Sequence, residues 1–198
     1  MLNNTSIRPP KTEMRVWCME ILELQEEFPL TLVERSHDRP HVGEIIHDML
    51  IDLGIGKRFD TDNPYQFEKG FVWERLLSMA LPIRVERPGE IMLDGVILSP
   101  DGVAFNEWIQ ESVVEEYKCT ARSSKSNPAD NVGWMMQIKA YCKGVGVTNA
   151  VMRILHLNGD WKENRAPMPK TYLFRFGQDE LDENWNAIVA YAKDRGLV

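Results

Sequence analysis

Residues 148–159, TNAVMRILHLNG, form a nearly uninterrupted apolar run. A strand with one face in water alternates apolar and polar residues. A run without that alternation reads as a strand covered on both faces. Upstream, SVVEEYKCT (112–120) reads as another strand, and VGWMMQIKAYCKG (132–144) as a helix ending at Gly144. Strand, helix and strand in that order predict a crossover joining two parallel strands. The sheet then needs helices on both faces. The chain is therefore predicted to fold as α/β (α+β mixed), with a central mixed sheet flanked by helices.

The remaining patterns fit this frame. HVGEIIHDMLIDLG (41–54) and FEKGFVWERLLSMAL (67–81) have helical apolar spacing, and Asp179 opens a C-terminal helix. Residues 12–27 predict an amphipathic helix through Trp17, Ile21 and Leu24. EIMLDGVIL (90–98), VAF (103–105) and TYLFRF (171–176) read as strands, and SPDG (99–102) as a turn. No repeat or linker divides the 198 residues, so one domain is expected over 1–198, with residues 1–11 a loose polar arm.

Three cysteines at wide spacing, with no zinc-type Cys/His pairing, argue against a structural zinc or an iron–sulfur cluster. With no secretory or membrane-spanning segment, a cytoplasmic protein is expected. The net charge of -7 argues against a generic nucleic-acid binder. One stretch runs the other way. Between 118 and 143 the charges Lys118, Arg122, Lys125, Lys139 and Lys143 are opposed only by Asp130.

Side chains two apart on a strand share a face, so Glu116 and Lys118 stand side by side with Tyr117 turned away. Asp101 ends a strand before a turn, and Glu74 lies on a helix beside its apolar stripe. Three such acids suit Mg²⁺ or Mn²⁺, which prefer carboxylate and carbonyl oxygens. The Tyr117 carbonyl would add a backbone ligand. Lys118 would orient or help deprotonate an attacking water. Gln137 and Tyr141, i and i+4, share one helix face and would bond to the site or to a phosphate. Each piece also has an ordinary reading: a surface ion pair, a turn former, a solvated helix residue. Their order along the chain is what favours chemistry.

Gly70 to Glu74 (GFVWE), Asp101 in SPDG, EYKCT and QIKAY together resemble the PD-(D/E)XK nuclease superfamily. They are most similar to its RecB-like, lambda-type phage exonuclease branch, over roughly residues 68–157. The resemblance implies a restriction-endonuclease-like core. It makes Glu74, Asp101 and Glu116 metal ligands and Lys118 the catalytic lysine, and places Gln137 and Tyr141 near DNA. Helicase-associated relatives carry their Asp in a different setting, which would suit Asp94; SPDG matches the phage form. Asp101 is therefore taken as the ligand and Asp94 as a supporting or second-metal acid. Arg122 and Lys125, directly after the site, are candidate phosphate contacts. His41 reads as a helix-start residue and His47 as exposed.

The implied activity is Mg²⁺/Mn²⁺-dependent hydrolysis of DNA, by a phage-type exonuclease of recombination or repair acting in the host cytoplasm. A recombination or single-strand-binding partner and an oligomeric state are compatible with it. The alternatives are a structure-selective or nicking endonuclease on the same site, or a non-catalytic DNA-binding or regulatory protein of the same fold.

Overall fold

The structure is a computed structural model describing residues 39–56, 65–80 and 85–198, without the side chains of 65–69 and Ser78. The N-terminal arm and the helix expected over 12–27 lie outside the described residues.

In chain order the elements are α1 (Val42–Asp52), α2 (Tyr65–Ala80), β1 (Val85–Glu86), β2 (Ile91–Leu93), β3 (Val96–Leu98), β4 (Gly102–Asn106), β5 (Glu111–Thr120), α3 (Val132–Val145), β6 (Asn149–His156), β7 (Met168–Arg175) and α4 (Gln178–Asp194). The main sheet has the order β1-β4-β5-β6-β7, and β2 and β3 form a separate two-stranded hairpin. β5 and β6 are parallel and joined through α3, as the crossover pattern predicts; the other pairs are antiparallel.

β6 has apolar residues on both faces. Ala150, Met152 and Ile154 meet the layer formed by α1, α3 and α4, together with Val114 of β5 and Ile138 of α3. Val151 faces the other way with Ala104 and Val113. On that second face α2 lays Trp73 and Leu77, one turn apart, onto Tyr117. Burying an aliphatic side chain contributes about 1.5–3 kcal/mol. The Val114, Ile138, Met152 and Ile154 stack, at most 1% exposed, therefore fixes α3 firmly over β5.

Two sequence expectations are adjusted. The segment read as EIMLDGVIL is a hairpin, because Asp94 and Gly95 both take positive φ (48° and 84°), a two-residue turn. α3 passes through Gly144 and closes at Gly146 instead.

Candidate active site

The site grows from one register. β4 and β5 are antiparallel with Gly102 opposite Glu115, which sets Asp101 opposite Glu116. The Tyr117 N–H donates to Asp101 Oδ2 at 2.6 Å, tying the end of the SPDG turn to β5. The long VAFNEWIQES segment between the two acids is simply this hairpin.

Glu116 and Lys118 share a face of β5, and the Lys118 ammonium pairs with Glu116 Oε1. Lys118 Nζ also donates to Gln137 Oε1 at 2.8 Å, and Gln137 Nε2 donates to the Tyr141 hydroxyl at 2.9 Å. The i, i+4 pair on α3 thus forms a chain, Tyr141 to Gln137 to Lys118 to Glu116. Tyr141 is 3% exposed, and of the two expected roles for this pair, bonding to the site or to a phosphate, the hydrogen bonds here run to the site. Its hydroxyl acts on the site through Gln137.

The acids sit under electrostatic load. Burial, reinforced by the Glu116 charge, pushes Asp101 well above the usual carboxylate range; Lys118 and the Tyr117 N–H oppose the rise. Burial likewise raises Glu116 against the pull of Lys118. The Glu74 charge adds to the rise of both, so its influence reaches the same place from α2. Its own carboxylate pairs with Arg87 at 2.8 Å.

Do these residues fit a divalent cation? The donors are oxygens, two of the carboxylates are desolvated, and Glu116 Oε2 is buried without a hydrogen-bond partner. That set suits a hard ion. It is not a finished cage. Among the described residues no three acidic, His or Cys side chains gather closely enough to hold an ion. Glu74 would join with the oxygen that does not pair with Arg87, or on exchange of that pair.

The other candidates lie as follows. Asp94 is not brought to this cluster. It caps the β2–β3 hairpin, at the far end of β3 from Asp101, and accepts from the Trp185 indole N–H at 2.7 Å. Tyr117 turns its side chain to the α2 face. Arg122 is exposed, with its guanidinium 5.8 Å from the Trp134 ring centroid. Lys125 is exposed but pairs with Asp160 (3.0 Å) and Glu163 (3.4 Å), which weakens its case as a phosphate contact. His41 caps α1 as expected, and its Nε2 lies 2.9 Å from Ser99 Oγ. His47, expected to be exposed, is half-buried.

Sequence reasoning missed the ion pair behind the site. Glu115, 1% exposed, is held by two donors of Arg153, at 2.8 and 3.0 Å. Alternation places Glu115 on the face opposite Glu116. The signal available was a lone Arg in the apolar run of β6, which demands a buried acid nearby.

The sequence matches no protein-family model and no curated protein. Among solved structures the chain is similar to LHK-Exo in complex with dAMP. LHK-Exo is an alkaline exonuclease from Laribacter hongkongensis. The TM-score is 0.50 at 10% identity, covering 79% of this chain and 87% of that one. A phage-related exonuclease from Haemophilus somnus 129PT aligns with a TM-score of 0.45 at 13% identity, over 77% and 79%. The chain has the fold of LHK-Exo, the restriction-endonuclease-like class that the PD-(D/E)XK motifs imply.

Proposed function

We propose that residues 1–198 act as one divalent-metal-dependent deoxyribonuclease, an exonuclease hydrolysing phosphodiester bonds from a DNA end. The observation that carries this reading is the placement of Asp101 opposite Glu116, with Lys118 on the same face and anchored by Gln137. The fold shared with LHK-Exo supports it.

Asp101 and Glu116 would hold Mg²⁺ or Mn²⁺, with the Tyr117 carbonyl and Glu74 as further donors. The ion supplies a lowered pKa for bound water and neutralises charge developing on the phosphate. The protein's own part is positioning. The Tyr117 N–H fixes Asp101, and the Gln137–Tyr141 pair aims Lys118 at the space beside Glu116. There the ammonium orients the attacking water and stabilises negative charge as the phosphorus is attacked. Arg122 would steady the DNA backbone. A deoxynucleoside monophosphate, the ligand in the LHK-Exo complex, is the product class expected of stepwise attack from an end.

The test is cleavage of linear and of closed circular duplex DNA, each with EDTA, Mg²⁺ or Mn²⁺. Metal-dependent loss of the linear substrate alone supports the exonuclease. Cutting of the circle points to the endonuclease reading. Inertness on both, or full activity in Asp101→Ala or Glu116→Ala, overturns the proposal.

A further inference from the structure

Three residues beyond Lys118 the chain enters a second structured unit. The loop after β5 (121–126) and the turn between β6 and β7 (157–167) are stapled together. Ser124 N–H donates to Gly159 O at 2.7 Å, and the Ser123 hydroxyl to Asp160 O at 3.3 Å. His156 Nδ1 lies 2.9 Å from Arg122 O, and Lys125 bridges to Asp160. Gly159 is needed for the fold of this unit: its φ is +50°, and a β-carbon there would lie 2.0 Å from Asn164 O.

From this base Trp161 projects into solvent, 53% exposed. Its φ of +68° is one that a bulky residue rarely adopts, and such strain gathers at functional positions. Its indole N–H donates to Ala121 O at 2.7 Å, and Arg165 Nε donates to its carbonyl at 3.2 Å. With the nitrogen edge tied down, the ring is held in one orientation and still leaves area open. The indole bond helps to staple the two loops, and the ring it fixes still presents an open face to solvent. Around it Arg122, Lys162 and Arg165 are exposed cations, while Asp160 and Glu163 are both drawn onto Lys125. Ala121, which anchors the ring, is three residues past Lys118, about 10 Å along an extended chain. That is within a few nucleotides of the site, at about 3.4 Å of rise per nucleotide in a stacked strand.

We infer that Trp161 is a base-stacking platform for a single DNA strand at the active site, with the Arg122, Lys162 and Arg165 charges tracking the backbone beside it. A rigid aromatic surface within a cationic rim is the chemistry of sequence-tolerant single-strand binding. The inference rests on the nuclease reading for its place in the reaction, but its test does not use cleavage.

The experiment compares binding, in EDTA, of a labelled oligothymidylate and an abasic oligonucleotide of equal length. They carry equal phosphate charge and differ in the bases. Trp161→Gly removes the ring and relaxes the backbone; Trp161→Phe keeps a smaller ring. Wild type should bind the thymidylate more tightly than the abasic strand. Trp161→Gly should lose about five- to a hundredfold on the thymidylate and little on the abasic strand. Trp161→Phe should retain most of the preference. Equal affinity of wild type and Trp161→Gly for the thymidylate overturns the proposal, as does an equal loss on both strands. A wild type that prefers bases but never cuts DNA with metal would sink the nuclease reading and leave the platform standing.

Discussion

Asp101 and Glu116 face each other across the β4–β5 register, and both are raised by burial. Asp101→Asn is nearly isosteric and its amide oxygen can still accept from the Tyr117 N–H. Directly opposed strand residues place their β-carbons about 4.5–5.5 Å apart. Two carboxylate charges at ~5 Å and an effective dielectric of ~20 repel by about 3 kcal/mol. Lys118 offsets part of this. The variant should therefore gain about 1–3 kcal/mol in EDTA, or roughly 2–12 °C in melting temperature for a chain of this size. The sign of the pH effect follows from linkage. A carboxyl raised in the folded state binds its proton more tightly there than in the unfolded chain. The wild type then loses stability as pH rises from the ordinary carboxylate range through the raised folded pKa. The variant's advantage should be small near pH 4 and widen as pH rises through the raised folded pKa. Adding Mg²⁺ or Mn²⁺ should close or reverse the gap, since an ion at a hundred times its Kd stabilises wild type by about 2.7 kcal/mol and the variant by far less. Thermal melts at several pH values, with EDTA and with metal, check all of this. A variant that melts below wild type in EDTA, or that gains equally from metal, would refute the reasoning.

Lys118→Ala should lower single-turnover cleavage about 10²–10⁴-fold with metal and DNA affinity retained, and Lys118→Arg should rescue little because a guanidinium differs in shape and keeps its proton. A well-folded Lys118→Ala protein cutting at the wild-type rate would make the Glu116–Lys118 contact an ordinary ion pair. Arg122→Glu should weaken DNA binding and reduce the slope of log affinity against log salt by about 1 with metal binding unchanged, as read by titration at several salt concentrations. Asp94→Ala should leave the Trp185 indole N–H without its acceptor and lose about 1–3 kcal/mol in a denaturant melt; an accompanying collapse of cleavage in the still-folded protein would return Asp94 to the site.

The fold was largely legible because its strongest signals are periodic. The unbroken apolar run of β6 demanded cover on both faces, and the strand–helix–strand order demanded a parallel neighbour. The pairing of Glu116 with Lys118 followed from strand alternation alone. What could not be read depends on register and on distant partners. The position of Asp101 rests on Gly102 falling opposite Glu115, which the hairpin at 107–110 sets and no local pattern announces. The bond of Asp94 to Trp185 was not legible because the two are 91 residues apart. Lys125 read as a candidate phosphate contact, and the acids that reach it from the next loop, Asp160 and Glu163, lie too far along the chain to be foreseen. Helix spacing gave Tyr141 its shared face with Gln137 but said nothing of how deeply it is covered.

The adjacent pair Glu115 and Glu116 shows how one strand separates support from chemistry. Both carboxylates are almost fully buried, at 1% and 2% exposure, and burial raises both. Alternation sends them to opposite faces, where they meet different answers. Glu115 receives both of its oxygens' bonds from one Arg153 guanidinium, a rigid fork that stays charged and leaves no oxygen open. Glu116 receives an ammonium at Oε1 only, and Oε2 is left buried without a partner. A buried carboxylate oxygen in that state is costly and stays under-satisfied unless something positive arrives. The first arrangement holds the strand in place. The second leaves a position on its other face that a cation would complete, with Lys118 already anchored beside it by Gln137. An acid saturated by one guanidinium and an acid with an oxygen left open, one peptide bond apart, are what a strand can offer when both its faces are covered.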